Sequence, residues 1–243
     1  MKAMSKLVAT VLLSGLVCLW SSSARSDSVT EVTEISWSAF QGLADLSEPV
    51  VDPLFDVYRF GDKWIDGAIH GTIYSQVFKG KEGTGAEGLY VYVYQIKHEP
   101  SPTEPPERQR YPFGAISFET MTNIPPTTVS GITYFAITSG SPTIGFSELG
   151  VRGPSSAEFT PLGTIGQVGF TFSPKLVYNT TSYIFGFFHP LPPTKVTANL
   201  VDSVREQLNP LVYTPSPEPS SIALLGLGLL GIFLPRRFKK KSL

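Results

Sequence analysis

Cysteine is almost missing. The 243-residue chain has one, Cys18, and it sits in an apolar N-terminal run. The region that follows therefore has no disulfide, no thiolate zinc site and no cysteine nucleophile. Charge is sparse too, at 16% of residues, and unevenly placed. Residues 27–217 hold 11 basic and 19 acidic side chains, a net of −8, while Arg236, Arg237, Lys239, Lys240 and Lys241 crowd the end. An acidic central region argues against nucleic acid as a partner, because a phosphate backbone selects basic faces. Histidine is limited to His70, His98 and His189, which have no paired spacing for a metal and read as structural. Also lacking is any long stretch with the 3.6-residue apolar period of an amphipathic helix.

Apolar material is ample. Hydrophobic residues make up 42% of the chain, with 16 Phe and 10 Tyr. Setting both ends aside leaves roughly 190 residues, enough for one domain with a real core. The 22 Gly and 21 Pro suit many short strands joined by turns. The clearest strand is 89–96, with Val91 and Val93 on one face and Tyr90, Tyr92 and Tyr94 on the other. Both faces are bulky, which predicts a central strand. Further strands are predicted at 29–37, 68–78, 115–118, 132–138, 167–172, 182–188 and 196–201. Turn-forming clusters separate them at 80–88, 125–126, 139–142 and 179–182. Residues 98–112 read as an exposed loop, 199–209 as carrying a short helical turn, and 214–219 as a stalk. The fold class expected is all-β: an antiparallel β-sandwich outer domain over residues 27–213.

Motifs for chemistry are weak. Asp45, Glu48, Asp52, Asp56, Asp62 and Asp66 supply oxygens of the kind calcium takes, but the Asp-x-Asp-x-Asp-Gly spacing is absent, and a solvated acidic face is the better reading. Residues 145–150, Gly-Phe-Ser-Glu-Leu-Gly, have one residue too many for a hydrolase elbow. Residues 80–85 lack the phosphate-loop spacing, and Glu82 would oppose phosphate. Tyr90, Tyr92 and Tyr94 could stack on sugar rings if exposed, but the Val-Tyr alternation favours a core role. No catalytic residue, cofactor-binding residue or metal ligand is assigned, and the domain is expected not to be an enzyme.

The ends are more specific. Lys2 and Lys6 precede an apolar run over 7–20, followed by Ser21-Ser22-Ser23-Ala24-Arg25-Ser26. That is the three-part order of a secretory signal peptide, residues 1–26, with cleavage expected after Ala24 or Ser26. A lipoprotein reading of Cys18 fits poorly, since Val17 stands where a small residue is wanted. At the other end, Pro217-Glu218-Pro219 leads into an apolar stretch within 220–235 and then the basic tail 236–241. Residues 222–234 contain only Ile, Ala, Leu, Gly and Phe. A 15-residue helix covers about 22 Å, short of a ~30 Å hydrocarbon core, so the transmembrane helix expected here is a short anchor. The basic tail should stay on the cytoplasmic side. A Leu-Pro-x-Thr-Gly signal is absent, and a eukaryotic lipid-anchor tail would end apolar.

The order Pro217-Glu218-Pro219-Ser220, Ala223-Leu224-Leu225-Gly226-Leu227-Gly228-Leu229-Leu230-Gly231, Arg236-Arg237 closely resembles the PEP-CTERM sorting signal, also known as an ice-binding-protein C-terminal domain. The resemblance covers residues 217–243, and Pro235 and Phe238 interrupt its basic end. It implies an exported protein of a Gram-negative-type bacterium, held in the inner membrane in transit and processed by exosortase, a membrane-embedded transpeptidase-like enzyme. It also implies a final place at the cell surface or in the extracellular matrix, with exopolysaccharide as a candidate partner. The outer domain is expected to be structural or interacting. The competing expectation is a carbohydrate-binding or carbohydrate-active module on the same anchor, which would show a concave face with carboxylates or exposed aromatics.

Overall fold

The computed structural model describes residues 29–60, 69–99, 113–177, 179–201 and 207–216. The leader, including Ala24 and Ser26, and the C-terminal segment from Pro217 onward lie outside these residues, as do Asp62 and Asp66. In chain order the elements are β1 (Thr30–Glu31), β2 (Thr33–Ser36), α1 (Trp37–Leu43), β3 (Ala44–Pro49), β4 (Leu54–Phe60), β5 (Ile69–Gly80), β6 (Tyr90–Glu99) and β7 (Phe113–Thr120). They continue with β8 (Tyr134–Ser139), β9 (Ser156–Leu162), β10 (Ile165–Leu176), β11 (Thr180–Thr181), β12 (Ile184–His189), β13 (Pro193–Val201), β14 (Gln207–Leu208) and β15 (Leu211–Pro215).

These strands form two sheets packed as a sandwich. The first has six strands in the order β1-β9-β10-β7-β13-β15. The second has nine, with the path β14-β4-β5-β6-β12-β8-β2, β3 beside β5 and β11 beside β6. Apart from the parallel pairing of β2 with β8, the ladders are antiparallel. The expected sandwich is present, with that one parallel edge as a departure.

The nine-stranded sheet is buried on both faces, which explains the Val-Tyr alternation of β6. Tyr92, Tyr94 and Ile96 point between the sheets, where they meet Phe118, Phe170, Phe185 and Phe187. Val91 and Val93 point to the outer face, into a second cluster with Phe40, Phe78, Phe135 and Phe188. The cover of that face is α1 and the loops after β5, β7 and β8. Ser36 starts α1 by accepting from the Ala39 N–H at 3.1 Å, an N-cap that meets one unpaired donor of the first turn. Trp37 and Phe40 are its buried residues. The expected strand 29–37 is therefore two short strands that end in a helix.

Three further expectations are corrected. His98 and Glu99 belong to β6, and His98 is buried. Asn199 lies in β13, paired with Ser117, so the helical turn does not begin there. Thr214 and Pro215 are buried in β15 and are not a stalk.

The free edge of β15 shows how the sandwich closes. Backbone groups of residues 211, 213 and 215 face away from β13 and need partners, because an open strand edge templates further pairing. Side chains of the other sheet supply most of them. The Leu211 N–H donates to Asp56 Oδ2 at 2.7 Å, the Tyr213 N–H donates to Ser75 Oγ at 2.9 Å, and the Tyr94 hydroxyl donates to the Tyr213 carbonyl at 2.6 Å. The Pro215 carbonyl accepts from the Met121 N–H at 3.0 Å.

Candidate functional site

Among the described residues a cleft of about 680 Å³ lies at the edge of the sandwich where the chain crosses from β1 to β2. Val32, buried in the core, makes the crossing and leaves Glu31 and Glu34 exposed on either side. Thr33, Arg152, Ser155, Ser173 and Tyr183 add to the polar lining, beside Ala136. Arg152 is held in place: its Nη1 donates to the Lys175 carbonyl at 2.7 Å, and its own carbonyl accepts from the Tyr183 N–H at 2.6 Å. Gly153 lets this segment pass close to the Tyr183 ring, since a Cβ there would stand 2.9 Å from a ring carbon. Two carboxylates, a guanidinium and a half-buried phenol ring can hydrogen-bond hydroxyls and stack on an apolar face. No spacing in the sequence marks the lining residues, because they come from five separate segments.

The singled-out polar residues are mostly taken up in structure. The Tyr58 hydroxyl and His98 Nδ1 lie 3.0 Å apart inside the sandwich, and burial pushes the Tyr58 hydroxyl pKa well above its usual range. His189 is fixed by the Ile124 carbonyl at 3.1 Å from its Nε2 and by the Leu191 N–H donating to its Nδ1 at 3.1 Å. Burial lowers its pKa to about 4, so it is neutral near pH 7. The side chain of His70 lies outside the described residues, although its backbone is in β5.

The described members of the acidic series do not converge on a site. Asp45 accepts from the hydroxyl and N–H of Ser47 at 2.6 and 3.0 Å, which lowers its pKa, and Asp56 is committed to Leu211. Among the described residues no three of His, Cys, Asp and Glu come together to hold a metal ion. Tyr92 and Tyr94 are fully buried, so neither offers a ring to a sugar.

The stretch 145–150 is a loop on the outer face, not a strand-to-helix elbow. A residue that sequence reasoning overlooked, Gln95, holds it. The Gln95 amide donates to the Glu148 carbonyl at 2.9 Å and the Ser182 carbonyl at 3.0 Å, and its Oε1 accepts from the Phe146 N–H at 2.9 Å. Gly145 adopts φ +69° directly over Oε1, where a Cβ would fall 2.1 Å away. The alternation of β6 placed Gln95 on its outer face, and a fully buried amide there signals a polar clamp.

The described chain ends at Ser216, whose N–H donates to the Pro192 carbonyl at 3.0 Å. The sandwich thus grips the chain up to the residue before Pro217. Residues 217–237 match the model of the PEP-CTERM protein-sorting motif. The chain carries a PEP-CTERM sorting motif. That motif marks an exported protein sorted by an exosortase-type enzyme and membrane-associated in transit. The match leaves the sandwich itself unassigned, and no curated protein and no solved structure is similar to the chain. Among the described residues no helix is long and apolar enough to cross a membrane, and the expected anchor at 220–235 lies outside them.

Proposed function

We propose that this is a cell-surface or extracellular-matrix protein of a Gram-negative-type bacterium, whose sandwich acts as a structural or interaction module without catalysis. The PEP-CTERM motif carries the reading. The leader is removed after Ala24 or Ser26, the segment 220–235 holds the chain in the inner membrane with its basic tail (Arg236, Arg237, Lys239, Lys240, Lys241) on the cytoplasmic side, and exosortase processes it at Pro217-Glu218-Pro219. The grip on Ser216 supports this arrangement, because it leaves the address immediately outside a folded domain. The commitment of His98 and His189 to buried hydrogen bonds supports a structural role for the interior polar groups. Fractionation of a host with and without its exosortase tests the proposal. Loss of the enzyme should leave the protein in the inner membrane, and unchanged delivery to the surface would overturn it.

The cleft favours a second reading, in which the module binds carbohydrate such as exopolysaccharide. Glu31, Glu34, Arg152 and Tyr183 form the kind of concave polar face with an aromatic ring that sugars occupy. Calorimetric titration of the protein with the host's own exopolysaccharide decides it. Binding abolished by Glu34→Gln and Tyr183→Ala would establish the cleft, and no heat with the wild-type chain would dismiss it.

A further inference from the structure

The connecting segments around the point where the chain leaves the sandwich carry almost no charge. The C-terminal end of β15, the β9–β10 turn, the start of the β7–β8 loop and the β12–β13 loop share one end. The Pro215 carbonyl accepts from the Met121 N–H at 3.0 Å, Asn123 Nδ2 donates to the Gly163 carbonyl at 3.2 Å, and the Ser216 N–H donates to the Pro192 carbonyl at 3.0 Å. His189 ties the Ile124 carbonyl to this end. Residues 120–134 and 159–173 contain no charged side chain, and residues 188–194 contain none but His189, which burial keeps neutral near pH 7.

Met121, Ile124 and Leu162 are exposed there, at 44%, 42% and 46%. Pro125, Pro161 and Pro190 are exposed beside them in sequence. Charge at this end lies on the β5–β6 hairpin of the opposite sheet, with Lys81, Glu82 and Glu87, and on Glu119, exposed near the end of β7; Ala86 of the hairpin is buried in the second cluster. The connections at the far end are different in sequence. Residues 61–68 carry Asp62, Lys63 and Asp66, residues 100–112 carry Glu104, Glu107, Arg108 and Arg110, and residues 202–206 carry Asp202, Arg205 and Glu206.

Chain length limits where this end can lie. Five residues, 217–221, separate Ser216 from the all-apolar run 222–234. At no more than ~3.6 Å per residue they reach about 18 Å. While the anchor is in place, these segments cannot leave the interfacial zone of the bilayer, and apolar side chains in that zone gain by burial among the acyl chains.

We propose that Met121, Ile124 and Leu162 form a lipid-facing tip that seats this end of the sandwich on the bilayer until the C-terminal segment is removed. The proposal rests on the reading of 220–235 as a membrane anchor. Its occupant is the lipid surface, because Met121, Ile124 and Leu162 lie beside Ser216, which only five residues separate from the apolar run.

The chain from Asp27 to Leu243, without the apolar leader, is reconstituted in phosphatidylcholine vesicles to test it. This chain has no cysteine, and a polarity-sensitive dye is placed at Leu162→Cys or, as the far-end control, at Val177→Cys. Leu162, the end of β9, pairs with Ile165 at the start of the 12-residue β10, and Val177 follows Leu176 at its other end. Co-flotation with the vesicles reports the anchor, and the dye reports the tip. Blue-shifted emission at position 162, quenched several-fold more strongly than at 177 by lipids brominated in the acyl chain, is the expected result. Water-like emission at both positions in a chain that co-floats overturns the tip and leaves the anchor standing. Water-like emission that changes only when the processing enzyme is added also overturns it and assigns this end to a protein contact. A chain that fails to co-float removes the anchor and the proposal together.

Discussion

The hydroxyl of Tyr94 donates to the backbone carbonyl of Tyr213 at 2.6 Å across the two sheets. Tyr94 is wholly buried on the central strand β6, and Tyr213 lies on the edge strand β15, the last before the sorting motif. One phenol therefore ties the middle of the core to the strand from which the chain departs.

Tyr94→Phe should destabilise the domain by about 1–3 kcal/mol, since the ring packing against Phe118 survives but the Tyr213 carbonyl is left without this donor. Tyr92→Phe should cost less, because its bond to the Leu191 carbonyl at 2.8 Å is only partly buried. Urea unfolding of both variants checks the order, and equal effects would contradict it.

The Gln95 clamp makes a sharper prediction. Gly145→Ala should loosen the 140–150 loop and lower stability, because the new Cβ meets Gln95 Oε1 and φ +69° is unfavourable for alanine. Gln95→Leu should leave the Glu148 and Ser182 carbonyls and the Phe146 N–H without this partner, at a cost of about 1–3 kcal/mol for each group that stays dry. Hydrogen exchange confined to this loop is the expected readout, and unchanged protection would count against the clamp.

His189 should make stability depend on pH. Its folded pKa, about 4, lies below the 6.5 of the unfolded chain, so the unfolded state binds more protons between those values. The contribution is full above pH 6.5 and is lost as pH falls to about 4. Its size is on the order of 3 kcal/mol. Denaturation midpoints of wild type and His189→Gln should converge at low pH and separate at neutral pH if the variant loses this term. Parallel curves would show that His189 is not the cause.

How much of this was visible in the sequence depends on which signal each element carries. The strand β6 was legible because Val91, Val93, Tyr92 and Tyr94 have no polar competitor, and the same holds for the Phe-rich β12; β5 and β10 showed through β-branched and aromatic residues set among polar ones. The strand β4 was not, because Asp56 and Arg59 break its alternation and Phe55 and Val57 remain exposed. The strand β15 was obscured by the prolines around it, although an edge strand tolerates proline. The helix α1, at seven residues, is too short for a periodic signal, and its start was read as the end of the strand 29–37. The cleft was invisible in principle: Glu31, Glu34, Arg152 and Tyr183 meet only once both sheets are in place. The sorting motif needed no fold at all, since it is read as an order of residues along the chain.

The most direct test of the whole account is to replace Pro217, Glu218 and Pro219 with alanine in the full chain. The apolar run 222–234, the basic tail and the Ser216 grip all remain, so only the address changes. The fate of the protein is followed by fractionation and apparent mass in a host that has the exosortase. An unprocessed protein that accumulates in the inner membrane is the expected result. Normal arrival at the surface with the wild-type mass would contradict it and leave a plain tail anchor as the better description.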